Sequence, residues 1–143
     1  MRRVVLFSTA TTDMSESDLM DMYDFARTNT AEHDVTGLAI YYKKNFCHIR
    51  EGDTNEISRS IVRTEQSPWH YNLSIVSDGE VENRRFPKWF MAVDLEHAET
   101  LTEKPQLMDL LQVLDHPDLS FAMEDLACRS FVEAFLADIV QND

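Results

Sequence analysis

The stretch "TGLAIYYKKNFCHIREGD", residues 36–53, holds two runs rich in apolar residues, separated only by Lys43 and Lys44. So short a link joins neighbouring strands as an antiparallel hairpin, with strands over 36–42 and 45–51. Strand side chains alternate between faces, so Phe46, His48 and Arg50 share one surface while Cys47, Ile49 and Glu51 share the other. An imidazole and a guanidinium beside a phenylalanine are unusual furniture for a core, and they mark that surface as the one to follow.

Working outward, "RRVVLFST" (2–9) reads as a buried strand, and Ser15 with Asp18 resembles a capping pair that opens a helix over about 15–29. Leu19, Tyr23 and Ala26 lie along one side of that helix, with Met22, Phe25 and Asn29 along a neighbouring stripe. After the hairpin, Asp53 and Glu56 form a second cap-like pair before a helix over 54–66, in which Ile57 and Ile61 share a buried side and which Pro68 ends. "HYNLSIVSDGEVENRRFPKWFMAVDL" (70–95) supplies two more strands around a polar turn at Asp78 and Gly79. The order β, α, β, β, α, β, β predicts an α+β fold: a ferredoxin-like mixed sheet of four or five strands with both helices on one face. "PQLMDLLQVL" (105–114) and "ACRSFVEAFLADIV" (127–140) read as two amphipathic C-terminal helices. The predicted organisation is one domain over residues 1–97, and a helical extension over 98–143 that packs on the sheet's other face or on a second subunit.

The totals bound the function. Hydrophobic residues at 43% and charged residues at 27% of 143 are a globular composition. No apolar run approaches a membrane span and the N-terminus lacks the pattern of a secretion signal, so a cytoplasmic location is expected. A net charge of -13 repels phosphate backbones and argues against direct nucleic-acid binding. Cys47 and Cys128 form no CxxC pair, which predicts neither a disulfide framework nor a metal site. His33, His97 and His116 are scattered and show no ligand spacing. Acylphosphatase-like enzymes share the predicted topology but need a phosphate cradle and an arginine after the first strand, whereas "STATTDMS" (8–15) has neither glycine nor arginine. The chain is expected not to be an enzyme.

Topology alone does not settle chemistry, but specific blocks do carry a resemblance. "VVLFST" on the first strand, "TN" ending the first helix, "VTGLAIYY", "NFCHIREGD", the spacing on to "WHYNLSIV", and "NRRFPKWFMAV" together resemble the BLUF family of flavin-binding blue-light sensors. The resemblance covers residues 3–95. It implies an FAD whose ring slots between the two helices, a first-strand tyrosine as donor of an electron and proton, a third-strand glutamine as relay, and an asparagine holding the ring's edge. By this resemblance the tyrosine position falls on Phe7, the glutamine position on His48, and the asparagine position on Thr30, with Asn29 just before it. Arg63 and His70 take places where basic side chains approach the flavin, Trp69 stands where an arginine often does, and Trp89 and Met91 keep the fifth strand's aromatic and thioether pair.

The departures fall on the reactive positions. A phenylalanine has no hydroxyl proton to give, an imidazole lacks the paired amide and carbonyl of glutamine, and a threonine offers a single donor. Arg50 also replaces a residue that is usually apolar. The expectation is a BLUF-like sensory or regulatory domain without normal blue-light photochemistry. It would act through contacts with a regulatory protein partner, as a homo-oligomer, with the family's FAD lost. Two alternatives stand beside it: an FAD-binding photoreceptor with an altered photocycle, and a sensor of another ligand, haem or an anion, held by His48 and Arg50 in the former flavin cleft.

Overall fold

The computed structural model describes residues 1–95 and 104–142. The predicted boundary at 97/98 and His97 lie outside the described residues. The elements are β1 (Arg2–Ala10), α1 (Glu16–Glu32), β2 (Thr36–Tyr42), β3 (Asn45–Gly52), α2 (Thr54–Gln66), β4 (His70–Glu80), β5 (Trp89–Val93), β6 (Leu107–Asp109), α3 (Ser120–Met123) and α4 (Leu126–Asn142). They form one mixed sheet in the order β4-β1-β3-β2-β5-β6. β1 runs antiparallel to both β3 and β4, β2 antiparallel to β3, while β5 runs parallel to β2 and β6 parallel to β5. The α+β, ferredoxin-like order read from the sequence is the one observed, widened by a sixth strand.

Local chemistry explains the boundaries. Ser15 and Asp18 exchange side-chain to backbone bonds in a full capping box, and the Asp53 carboxylate accepts from the Asn55 N–H at the start of α2. Lys43 and Lys44 both take positive φ, 43° and 72°, as a two-residue hairpin turn of the type I′ class requires. Gly37 has φ +152°, and a Cβ there would sit 1.8 Å from the Ile49 carbonyl oxygen, so only glycine lets β2 lie against β3 at this point.

The sheet's two faces carry different layers. Val4 and Leu6 of the sheet meet Ile57 and Ile61 of α2, and Phe46 and Met91 meet Leu19, Met22 and Tyr23 of α1. On the other face Val5, Leu38, Ile40, Cys47 and Ile49 meet Leu119, Met123, Val132 and Leu136 from the C-terminal segments. Those segments thus cover the sheet of their own chain. The stretch 105–114 departs from the helix expected of it. Gln106 takes φ +65°, Met91 N–H donates to the Gln106 carbonyl, and residues 107–109 extend the sheet as β6 before a single 3-10 turn over Leu110–Gln112. The free edge of β5 offers backbone partners that an isolated helix of this length does not outweigh. No helix among the described residues is long and apolar enough to cross a membrane.

One buried ion pair ties the layers together. Glu51 is 0% exposed. Its Oε2 accepts from Arg3 Nε (2.9 Å) and Nη2 (2.7 Å), and its Oε1 from the backbone N–H groups of Arg85 (2.8 Å) and Phe86 (2.9 Å). Arg3 Nη1 continues to Asp125 Oδ2 at 3.1 Å, and Asp125 Oδ1 accepts from the Ala127 and Cys128 N–H groups at the head of α4. Removing one member of a buried pair strands the other, so Glu51→Gln is expected to cost about 3–5 kcal/mol of stability, measured by urea denaturation. A loss no larger than an exposed ion pair provides, about 1 kcal/mol, would show that the network is not what joins these segments.

Candidate functional site

A cleft of about 90 Å³ opens between the last turns of α1 and α2, above β2, β3 and β5. Six positions singled out from the sequence line it together: Asn29 and Thr30 from α1, His48 from β3, Arg63 from α2, His70 from β4 and Trp89 from β5. Arg50 and Trp69 join them. Phe46, His48 and Arg50 do share the helix-side face while Cys47 and Ile49 face the C-terminal layer. Met91 lies fully buried beneath α1, adjoining the cleft without lining it.

Phe7 is not brought to this site. It points to the opposite face, where its ring stacks on Phe135 at 6.3 Å and helps line a separate groove of about 670 Å³. The β1 residue paired with His48 across the ladder is Leu6, buried under α2. On the helix-side face β1 therefore presents Val4, Leu6 and Ser8, and Ser8 Oγ lies 3.0 Å from His70 Nδ1. Among the described residues no tyrosine lines the cleft. The Tyr23 hydroxyl donates to the Pro105 carbonyl, and the Tyr41 hydroxyl donates to Asp13 (2.9 Å) while accepting from the Met14 N–H.

Sequence reasoning named Arg63 but missed the inward hydroxyls beside it on α2, Ser60 and Thr64, whose spacing of four is a helix-face signal hidden by its polarity. These hydroxyls serve the helix itself. Ser60 donates to the Ile57 carbonyl, Thr64 to that of Ser60, and across the cleft Thr30 donates to that of Ala26.

The electrostatics are one-sided. Arg50 Nη1 donates to the Ser60 carbonyl (3.1 Å) and hydroxyl (3.3 Å). Burial and then the Arg63 charge lower its pKa to about 10, so it stays a cation at neutral pH. Burial, then Arg50, then His70 hold His48 well below the usual imidazole range. Burial and then Arg50 push His70 down to about 4. Both imidazoles are neutral at pH 7. His48 Nε2 is buried without a hydrogen-bond partner, while its ring stacks on Phe46 at 5.3 Å. Cys47, with a thiol pushed up to about 12 by burial, faces the other way, and among the described residues no His, Cys, Asp and Glu group gathers as a metal site.

The family model described as "BLUF: Sensors of blue-light using FAD" matches residues 1–92. Solved structures with this fold include Klebsiella pneumoniae BlrP1 in a manganese and cyclic diGMP complex at pH 9.0. It matches with TM-score 0.70 at 21% identity, over 96% of this chain and 33% of that one. BlsA in its photo-activated state matches with TM-score 0.62 at 16% identity, over 92% of this chain and 90% of that one. The BlsA ground state matches with TM-score 0.59 at 20% identity, over 64% and 62%. The chain thus spans about a third of BlrP1 and less than two thirds of that BlsA ground-state chain. No curated protein sequence matches.

The neutral imidazoles make stability depend on pH in a defined window. Unfolded histidine takes up a proton below about pH 6.5, whereas His70 in the fold does so only near 4. The unfolded state therefore binds more protons between these values, so stability is unaffected above pH 6.5 and declines as pH falls from 6.5 towards 4. His48 and His70, which face Arg50 and Arg63, both contribute to this decline. In thermal melts, His70→Asn is expected to lose less stability than the wild type across that interval. Parallel pH curves would exclude a His70 that the fold holds neutral.

Proposed function

Because the chain belongs to the BLUF family, we propose that it is a sensory or regulatory domain that lacks the family's normal blue-light photochemistry and acts through protein contacts. The observation that carries this reading is the absence of a phenol from the cleft: β1 offers Leu6 opposite His48, and the hydroxyls of Tyr23 and Tyr41 are engaged elsewhere. A leucine has no proton to give and no oxidisable ring. Phe7, on the far face, does not substitute for it.

The residues present do not fit an isoalloxazine as they stand. The cleft of about 90 Å³ is well below the roughly 300–1,000 Å³ of pockets that hold molecules the size of an isoalloxazine. The Arg50 side chain reaches across it to Ser60, and the Thr30 hydroxyl is committed to its own helix. A retained FAD with an altered photocycle would need Arg50 to leave. A haem is larger still, and His48 sits on the floor of a cleft too narrow for it.

Contacts with a regulatory protein partner, and self-association, remain the means of action this reading favours. Among the described residues the outer strand β4 has one neighbour in the sheet, β1, and it exposes Tyr71, Ile75 and Val76. Such an edge is a surface on which another chain adds. The net charge of -13 favours a basic partner.

The test is optical. Protein purified and then incubated with FAD is expected to be colourless after removal of free flavin, and any flavin that is retained is expected to show no lasting red shift under blue light. A persistent, dark-reversible red shift in the wild type would overturn the reading.

A further inference from the structure

Arg50 leaves the cleft with charge that the protein does not balance. Among the described residues no carboxylate pairs with Arg50 or Arg63, and only Nη1 of Arg50 has an acceptor, so its Nε and Nη2 edge is open. His48 is 5% exposed, and its Nε2 is buried with no partner. The Arg50 guanidinium is partly exposed and has no carboxylate beside it, while an orphaned buried nitrogen costs stability. Both line one cleft, and a single oxyanion there would satisfy both.

We propose that this cleft binds a small organic monocarboxylate. Its carboxylate lies on the Nε and Nη2 edge of Arg50, a fork that matches two carboxylate oxygens. Arg63 is the second cation, and His48, neutral and protonated on Nε2, is a further donor. The apolar end of the ligand meets Trp69 and Trp89. Size limits the ligand, since about 90 Å³ admits only a small molecule. Its charge is limited too: Asn29 and Thr30 sit in the last turn of α1 and Arg63 and Thr64 in the last turn of α2, so both helices aim their partially negative ends at the cleft and disfavour a dianion such as phosphate. The inference rests on the reading that no flavin ring fills the cleft.

The chain's two tryptophans both line the site, which makes intrinsic fluorescence a reporter of it. Full-length protein free of flavin absorbance is titrated with propionate, with 1-propanol as the uncharged control and inorganic phosphate as the polyvalent one. Propionate is expected to give a saturable change and the other two none. Arg50→Gln is expected to weaken propionate at least tenfold, and Arg63→Gln, at a half-buried position that does not depend on the first variant folding, several-fold. No response to propionate, an equal response to 1-propanol, tighter binding of phosphate, or unchanged affinity in Arg63→Gln would each overturn the proposal. Flavin absorbance in the starting material would instead overturn the premise on which it rests.

Discussion

Glu51 and Arg50 are neighbours in sequence with opposite charges, and the pleat of β3 keeps them apart. Glu51 turns to the C-terminal layer, where it gathers Arg3, the 85–86 backbone and, through Arg3, the Asp125 cap of α4. A fully buried carboxylate is tolerated only because all these donors converge on it. Arg50 turns to the helix layer, beyond reach of that carboxylate, and among the described residues bonds the oxygens of Ser60. The same alternation that anchors the fold on one face thus leaves an unneutralised cation on the other.

That cation sets the chemistry of everything around it. It contributes to holding both imidazoles neutral at physiological pH, so the cleft of a strongly acidic protein is locally basic without carrying charged histidines. The outer surface repels anions at long range, and screening confines that repulsion to about a Debye length, roughly 8–10 Å in ordinary salt. A ligand reaching this cleft is therefore selected for low charge on approach and for a carboxylate on arrival. The wall of Phe25, Ala26, Trp69 and Trp89 adds apolar contact to that preference.

Much of this was legible in the sequence, for reasons that also explain the failures. Alternation announced β1 to β5, since a buried strand face leaves a period of two, and capping residues announced α1 and α2; the turn expected at Asp78 and Gly79 is instead the end of β4, where pairing with Arg3 and Val4 of β1 keeps both residues extended. Residues 105–114 were misread because their leucine spacing serves a helix and a strand followed by a 3-10 turn equally well. What decided between them was a distant edge of β5 that a local pattern does not contain. His48, Arg63, His70 and Trp89 were found by resemblance to a family, and the structure gathers them. Phe7 was placed by the same resemblance, but the face a strand residue takes follows from alternation and pairing, and β1 pairs with β3 so that Leu6 opposes His48. The polar stripe of α2 escaped because burial of hydroxyls that bond their own helix leaves no hydrophobic periodicity.

The hairpin turn makes this arrangement all-or-none. Lys43 and Lys44 fix Tyr41 opposite Phe46 and Ala39 opposite His48, and each residue of β3 inherits its face from that register. A slip of one residue would carry His48 and Arg50 into the apolar layer under α4 and bring Cys47, Ile49 and Glu51 to the cleft. It would break the Arg3 pair and bury an uncompensated guanidinium in one move. Gly37, the only residue type that clears the Ile49 carbonyl, pins the register at the far end of the hairpin. The site's position is therefore specified by two backbone constraints some distance from it, and a substitution at the turn or at Gly37 acts on the cleft without touching any residue that lines it.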